Sequence, residues 1–401
     1  MKQILRKYVD FVRRPHVARL LATALVARMP VGMVGFAMLM FLRESLGNFA
    51  LAGTVAGINF ISLAACAPIQ GRLIDRVGPR KVLAVTSIVQ PLSLIALLFA
   101  VREHAPFAVL ALFSALGGAF ASPITTLTRT LWRHMFDSEE DRRTAFALDA
   151  VTIELNFTVG PALVGSLLAF ASPTAAFAAA VGAVIVAVVV FMASPALRFF
   201  HTESNAERHL LGPLTEPRLW LLYATTFGLA MALGFLEVGY PAYGTGLGIP
   251  ALAGALLAVN SLGSAIGGSL YGGLHFKISV ERQFAAAMAL MVIPFFLHSV
   301  VGTVALFAIV AFVAGGLIAP SIAAQSVLVS RLAPSRYATE AFTWSSTFIV
   351  SGIGAGVAAG GAIVETLGVR HVFVTGAAII AGMALLALGL SLPARVTAPA
   401  E

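Results

Sequence analysis

"GRLIDRVGPRKVL", residues 71–83, carries five charged residues in thirteen positions: Arg72, Asp75, Arg76, Arg80 and Lys81. Only 11% of the 401-residue chain is charged, and the sequence on either side of this stretch is almost wholly apolar. The flanking runs, 50–71 and 80–101, each have the ~20 residues a helix needs to cross a bilayer core of ~30 Å. The stretch therefore reads as a tight loop between two membrane spans, with charge gathered where the chain re-enters water.

The same pattern extends over the chain, which is 59% hydrophobic with a mean hydropathy of +0.93. A soluble protein of this length would separate two or three cores by polar loops. Here twelve apolar runs occur: 17–42, 50–71, 80–101, 107–131, 144–170, 173–194, 218–243, 250–273, 283–301, 303–329, 340–365 and 370–392. Their length predicts helices, because barrel strands would show alternating segments of ~10 residues. The first run continues past Ala27 without an A-x-A site, so a cleaved signal peptide is not expected. The expectation is an all-α, multi-pass membrane protein.

Charge sets the orientation. With the N-terminus inside, 22 of the 26 Lys and Arg fall in cytoplasmic segments, and only Arg43, Arg102 and Arg370 fall outside. That is the positive-inside pattern, which predicts cytoplasmic termini and an inner, cell-membrane location. The basicity borders membrane spans and lacks interleaved aromatics, so no nucleic-acid partner is expected.

The chain also repeats itself. "LGNFALAGTVAGINFISLAACAPIQGRL" (46–73) aligns with "LGIPALAGALLAVNSLGSAIGGSLYGGL" (247–274) at an offset of 201, pairing Asn59 with Asn260 and Gly71 with Gly272. A second match, at an offset of 196, pairs Gly160 with Gly356 and Gly165 with Gly361. Six spans followed by six in the same order are two parallel halves, a design found among secondary transporters. The expected organisation is a six-helix bundle over 1–195, a cytoplasmic linker over 196–217 and a second bundle over 218–401.

With spans and repeat in place, the opening stretch resembles the G-x-L-x-D-R-x-G-x-R-K loop of the major facilitator superfamily, between its second and third helices. Gly71, Leu73, Asp75, Arg76, Gly78, Arg80 and Lys81 all match. The resemblance implies twelve helices in two bundles and a latch between the halves on the cytoplasmic side. In it, Asp75 accepts from the positive N-terminus of helix 11. Arg76, Arg80 and Lys81 would pair with nearby acids and lipid phosphates, and Gly71 and Gly78 would permit the close turn. In the second half Phe276 stands where the repeat places Asp75, so the latch is asymmetric. The resemblance to drug exporters is partial. Ser114 occupies the helix 4 position at which exporters carry Arg, and "NFTVGPALVG" keeps Gly160, Pro161 and Gly165 with Asn156 at the first glycine. Those three residues would bend helix 5 and allow close packing, and Gly352, Gly356 and Gly360 read as a packing stripe on helix 11.

Charges inside spans are costly unless paired or hydrated, so they mark candidate sites. Arg28 lies about eleven residues, ~16 Å, into the first run. Glu154 lies at a similar depth in the fifth, and an Arg28–Glu154 pair is expected, either a proton- or substrate-linked switch or a permanent ion pair. Glu237, in the outer part of helix 7 just before Gly239 and Pro241, could titrate or meet a cationic substrate where the family often interrupts that helix; an interfacial role is the alternative. Asp149 and Arg129 read as a structural pair near inner helix ends, and Asn59 and Asn260 as interhelical hydrogen-bonding groups.

No nucleotide-binding, zinc-protease or serine-hydrolase motif occurs, and the lone Cys66 excludes an internal disulfide or a multi-cysteine metal site. The expectation is therefore no enzyme, cofactor or metal. It is a monomeric secondary transporter working by alternating access with a small-molecule substrate, protons and membrane lipids as partners. Proton-coupled export of small organic or amphipathic compounds is the first reading. Uptake of a polar nutrient such as a sugar or organic acid, a lipid flippase and a non-transporting sensor are the alternatives.

Overall fold

A computed structural model describes residues 10–136, 138–195, 197, 212–274, 276–334 and 338–391. Its helices follow the apolar runs: α1 (Pro15–Leu46), α2 (Phe49–Val77), α3 (Pro79–Arg102), α4 in two segments (Phe107–Ala119 and Ile124–Met135), α5 (Glu139–Phe170) and α6 (Pro173–Met192) in the first half. The second half comprises α7 (Pro217–Gly246), α8 (Leu252–Gly273), α9 (Val280–Val300), α10 (Val304–Leu332), α11 (Ala338–Leu367) and α12 (Val369–Leu388). All twelve are long and apolar enough to cross a membrane. Most of the 196–217 linker lies outside the described residues.

Short polar caps start many of the spans. The side chains of Asn48, Ser138, Ser172, Ser279 and Thr303 accept from the amide N–H three residues on, satisfying donors that a helix leaves open at its first turn. Proline occupies the first turn of α1, α3, α6 and α7, where no N–H is needed. Thr303 caps α10 directly after α9 ends, which is how two spans fit around the single Gly302. Between α2 and α3 the chain turns on Gly78 alone, at φ +87°, a left-handed conformation open to glycine.

The fourth run is not one helix. The chain breaks between Ala119 and Ile124, at Pro123, and the freed backbone groups are met by neighbouring side chains. Gln70 Nε2 donates to Ala119 O at 2.7 Å, and Ser122 N donates to Gln90 Oε1 at 3.1 Å. A broken helix at membrane depth persists only with such replacement partners. In α7, by contrast, the helix runs through Pro241 without interruption, so the expected break near Glu237 does not occur.

The internal repeat is reproduced in three dimensions. Asn59 Nδ2 donates to Ser114 O and Asn260 Nδ2 to Ala311 O, each at 2.9 Å. At both crossings a glycine, Gly118 or Gly315, lies so close to the Asn backbone that a Cβ would overlap it. Each half thus locks α2 on α4, or α8 on α10, by the same device. Ser114 is fully buried and donates to Val55 O at 2.6 Å, so this point of α4 is a packed neutral crossing.

Candidate functional site

Two stripes of α5 define the candidate site. Residues 149, 152, 156 and 160 share one face at helical spacing and meet α1. Asp149 Oδ1 accepts from Arg28 Nη1 at 2.7 Å, and Thr152 Oγ1 lies 3.2 Å from the same nitrogen. Further along, Asn156 and Gly160 press on Gly32 of α1, where no Cβ would fit. Pro161 and Gly165, with Glu154 at the same helical spacing, form the second stripe, which faces the other half. Pro161 O and Gly165 abut Gly254 of α8, and Ser261 Oγ donates to Phe157 O at 2.9 Å.

Glu154 belongs with the second stripe, and this overturns the expected Arg28–Glu154 pair. Arg28 binds Asp149 instead. Two physical reasons account for it. Five residues separate Asp149 from Glu154, which at 3.6 residues per turn is about 140° around the helix and ~7.5 Å along it. In addition, α5 begins at Glu139 rather than near 144, so depth counted from the apolar run misplaces the level of Arg28.

The Arg28–Asp149 pair is deeply buried, with side chains about 2% exposed. Asp149 Oδ1 also accepts from Trp132 Nε1 at 3.0 Å, and Arg28 Nη2 reaches Thr125 O at 3.4 Å. Arg129 Nε lies 3.7 Å from Asp149 Oδ2 but is more than half exposed. The expected Arg129–Asp149 proximity is therefore present as the minor contact of a cluster centred on Arg28. Arg28 Nε and both polar atoms of the Asn156 side chain are buried with no hydrogen-bond partner among the described residues.

Glu154 and Glu237 are both half-buried, and neither side chain has a hydrogen bond or ion pair among the described residues. Glu237 sits one turn before Tyr240, whose hydroxyl lies 3.4 Å from Asn260 Nδ2. Beyond it, His298 is enclosed by Phe307 at 4.6 Å and Phe373 at 4.9 Å between ring centroids, with Nδ1 2.6 Å from Pro294 O. Nothing in the sequence pattern drew these rings together, since they come from four separate spans.

The charged loop is on the opposite side from the tightest contacts between the halves. Arg76, Arg80 and Lys81 are exposed and make no ion pair among the described residues. The backbone of Asp75 lies in the last turn of α2, and its side chain is outside the described set. Among the described residues, nothing beyond their own chain neighbours and helix backbone lies within 4 Å of where a Cβ on Gly71 or Gly78 would sit. The cross-half contacts instead run along α2–α11 and α5–α8, toward the face away from this loop. Gly53 and Gly57 of α2 meet Gly361 and Gly354 of α11, while Gly165 of α5 meets Gly254 of α8. The contacts Gly53–Gly361 and Gly254–Gly165 are related by the repeat. Gly352, Gly356 and Gly360 face α7 within their own half, as packing.

Twelve spans in a repeated six-helix plan, with halves that meet along glycine seams, define a multi-pass membrane protein. The sequence pattern of the Major Facilitator Superfamily matches residues 20–349, and the chain belongs to that family. Multidrug resistance protein MdtG of Salmonella paratyphi C (strain RKS4594) is 29% identical over 133 residues, 31% of this chain and 33% of that protein. MdtG of Salmonella arizonae is 28% identical over 127 residues, 30% of this chain and 31% of that protein. The match thus spans about a third of these relatives' length. Among solved structures, the nucleoside transporter NupG superposes with a TM-score of 0.78 at 12% identity, over 93% of this chain and 99% of that one. A POT family transporter in complex with 5-aminolevulinic acid gives 0.73 at 11% identity, over 93% and 95%. At that identity the likeness is one of fold.

Proposed function

We propose that the chain is a proton-coupled secondary transporter that exports small organic or amphipathic compounds across the cell membrane by alternating access, with the charged loop and both termini cytoplasmic. The observation that carries the reading is Glu154. It is a carboxylate without a hydrogen bond or ion pair among the described residues, in a span, on the stripe of α5 that meets the other half. One turn beyond it, at Phe157, the halves come into contact. A carboxylate at such a junction can exchange its proton with water on the open side and respond to movement of the seam. The closed glycine seams away from the loop, and the open surroundings of Gly71, support a conformation accessible from the cytoplasm. Partial likeness to MdtG supports export over uptake. Purified protein in liposomes with an imposed pH gradient, screened against chemically diverse solutes, tests the proposal. Solute flux that follows the gradient is expected, and flux indifferent to it would remove proton coupling.

Two variants refine the assignment. Asp75→Asn is expected to favour the cytoplasm-open arrangement, because the loop latch loses its charge. Labelling of single cysteines at the cytoplasmic ends of α5 and α11 should increase, and unchanged labelling would leave the motif a topology anchor. Glu237→Gln is expected to impair substrate binding or coupling with normal expression. A wild-type rate and pH profile would make Glu237 interfacial and remove the cationic-substrate reading.

A further inference from the structure

Helix α2 begins at Phe49 on the face away from the charged loop, and its first turn has open N–H donors. Asn48 meets one of these locally, its side chain accepting from Leu51 N at 2.8 Å. The donor of Phe49 itself is met from the other half of the molecule: Glu365 Oε2, in the last turn of α11, accepts it at 3.1 Å. Arg43, at the end of α1, holds its guanidinium 5.5 Å from the Phe49 ring centroid. One turn inward from Glu365, Gly361 packs on Gly53 and on the backbone of Phe49 with no room for a Cβ.

We infer that Glu365 is a positioning residue for the transport cycle: a latch that holds the two halves together on the face away from the charged loop by capping the N-terminus of α2. Because α2 and α11 pack antiparallel, Asp75 near the C-terminal end of α2 and Glu365 near that of α11 lie at opposite ends of one helix pair. Each acid is placed at the end where the partner helix begins. A carboxylate at a helix N-terminus is stabilised both by the dipole and by an open N–H. The two acids then act as alternating caps on a single seam, one engaged in each conformation.

The other cross-half seam has no such pair. The repeat places Ala169 of α5 where α11 has Glu365, and Phe276 where α2 has Asp75. The N-terminus of α8 has no side-chain cap. The charged switch is thus confined to α2–α11, and α5–α8 serves as its neutral counterpart.

The inference rests on the alternating-access reading, and the experiment separates the two. Spin labels replace Phe107 and Ile249, exposed at the ends away from the loop, or Phe146 and Leu274, exposed toward it, in full-length protein with Cys66→Ser. Electron–electron distances are measured in liposomes at several pH values. Glu365→Ala is expected to move population from the short to the long distance for Phe107/Ile249, and the reverse for Phe146/Leu274. The ratio of conformations should change about two- to five-fold, the scale of an exposed charge at a helix end. Glu365→Gln, which keeps an acceptor, should shift it less and serves if the alanine variant does not fold. Wild-type protein that exchanges between two distances while both variants leave the ratio unchanged would overturn the latch alone. A single fixed distance in every wild-type condition would overturn alternating access and the latch with it.

Discussion

Arg28→Ala is expected to cost about 3–5 kcal/mol of stability, toward the lower end, and to show as a large loss of monodisperse protein after detergent extraction. The cost arises because Asp149 stays buried when its cation is removed. Trp132 still donates to the carboxylate, and Arg129 remains 3.7 Å away, which is why the lower end is expected. A compensating variant isolates the charge. Arg28→Met with Asp149→Asn removes both charges, keeps an unbranched side chain on α1 and retains an acceptor for Trp132. It should recover most of the yield, since buried pairs replaced by neutral groups of similar volume are often no less stable. If the double variant is extracted as poorly as Arg28→Ala, the loss comes from packing and not from an orphaned charge. If it is stable yet transports nothing, the pair is part of the cycle as well as of the fold.

What could be read from the sequence follows from the range of the forces involved. Span existence depends on local hydrophobicity, and the helices extend the apolar runs by only a few residues where polar caps continue them. The repeat allowed the Asn59 and Asn260 roles to be read, because a polar residue recurring at matched positions in apolar helices needs a partner in both halves. Two other features depended on quantities that apolar runs do not encode. The break in α4 turned on whether Gln70 and Gln90 from other helices could replace the bonds lost around Pro123. The partner of Arg28 turned on rotation about α5, where a five-residue difference sends Glu154 to the face of another bundle. Depth alone cannot separate Asp149 from Glu154; the helical faces marked by Gly160 against α1 and Gly165 against α8 can. Glu365 was not visible as a candidate because an acid near a predicted span end reads as solvated, and its partner lies 316 residues away.

Glu154→Gln is expected to abolish flux driven by a pH gradient while leaving substrate exchange intact. Glu154 makes no side-chain bond among the described residues, so losing its charge strands no partner, and expression should match the wild type, in contrast to Arg28→Ala. Exchange requires the halves to alternate with substrate bound but moves no net proton, so a neutral amide that cannot release a proton still permits it. Net export against a gradient requires the carboxylate to take up and release a proton in each cycle, and glutamine cannot. Counterflow and pH-driven flux measured on the same liposomes give the two readings side by side. Loss of both would assign Glu154 to substrate binding or to the α5–α8 seam, since it shares the stripe of Pro161 and Gly165. Retention of both, with a normal pH profile, would exclude Glu154 as the proton carrier. Glu237 would then be the remaining candidate carboxylate with no ion pair among the described residues, and because it sits on α7, coupling would have to originate in the second half.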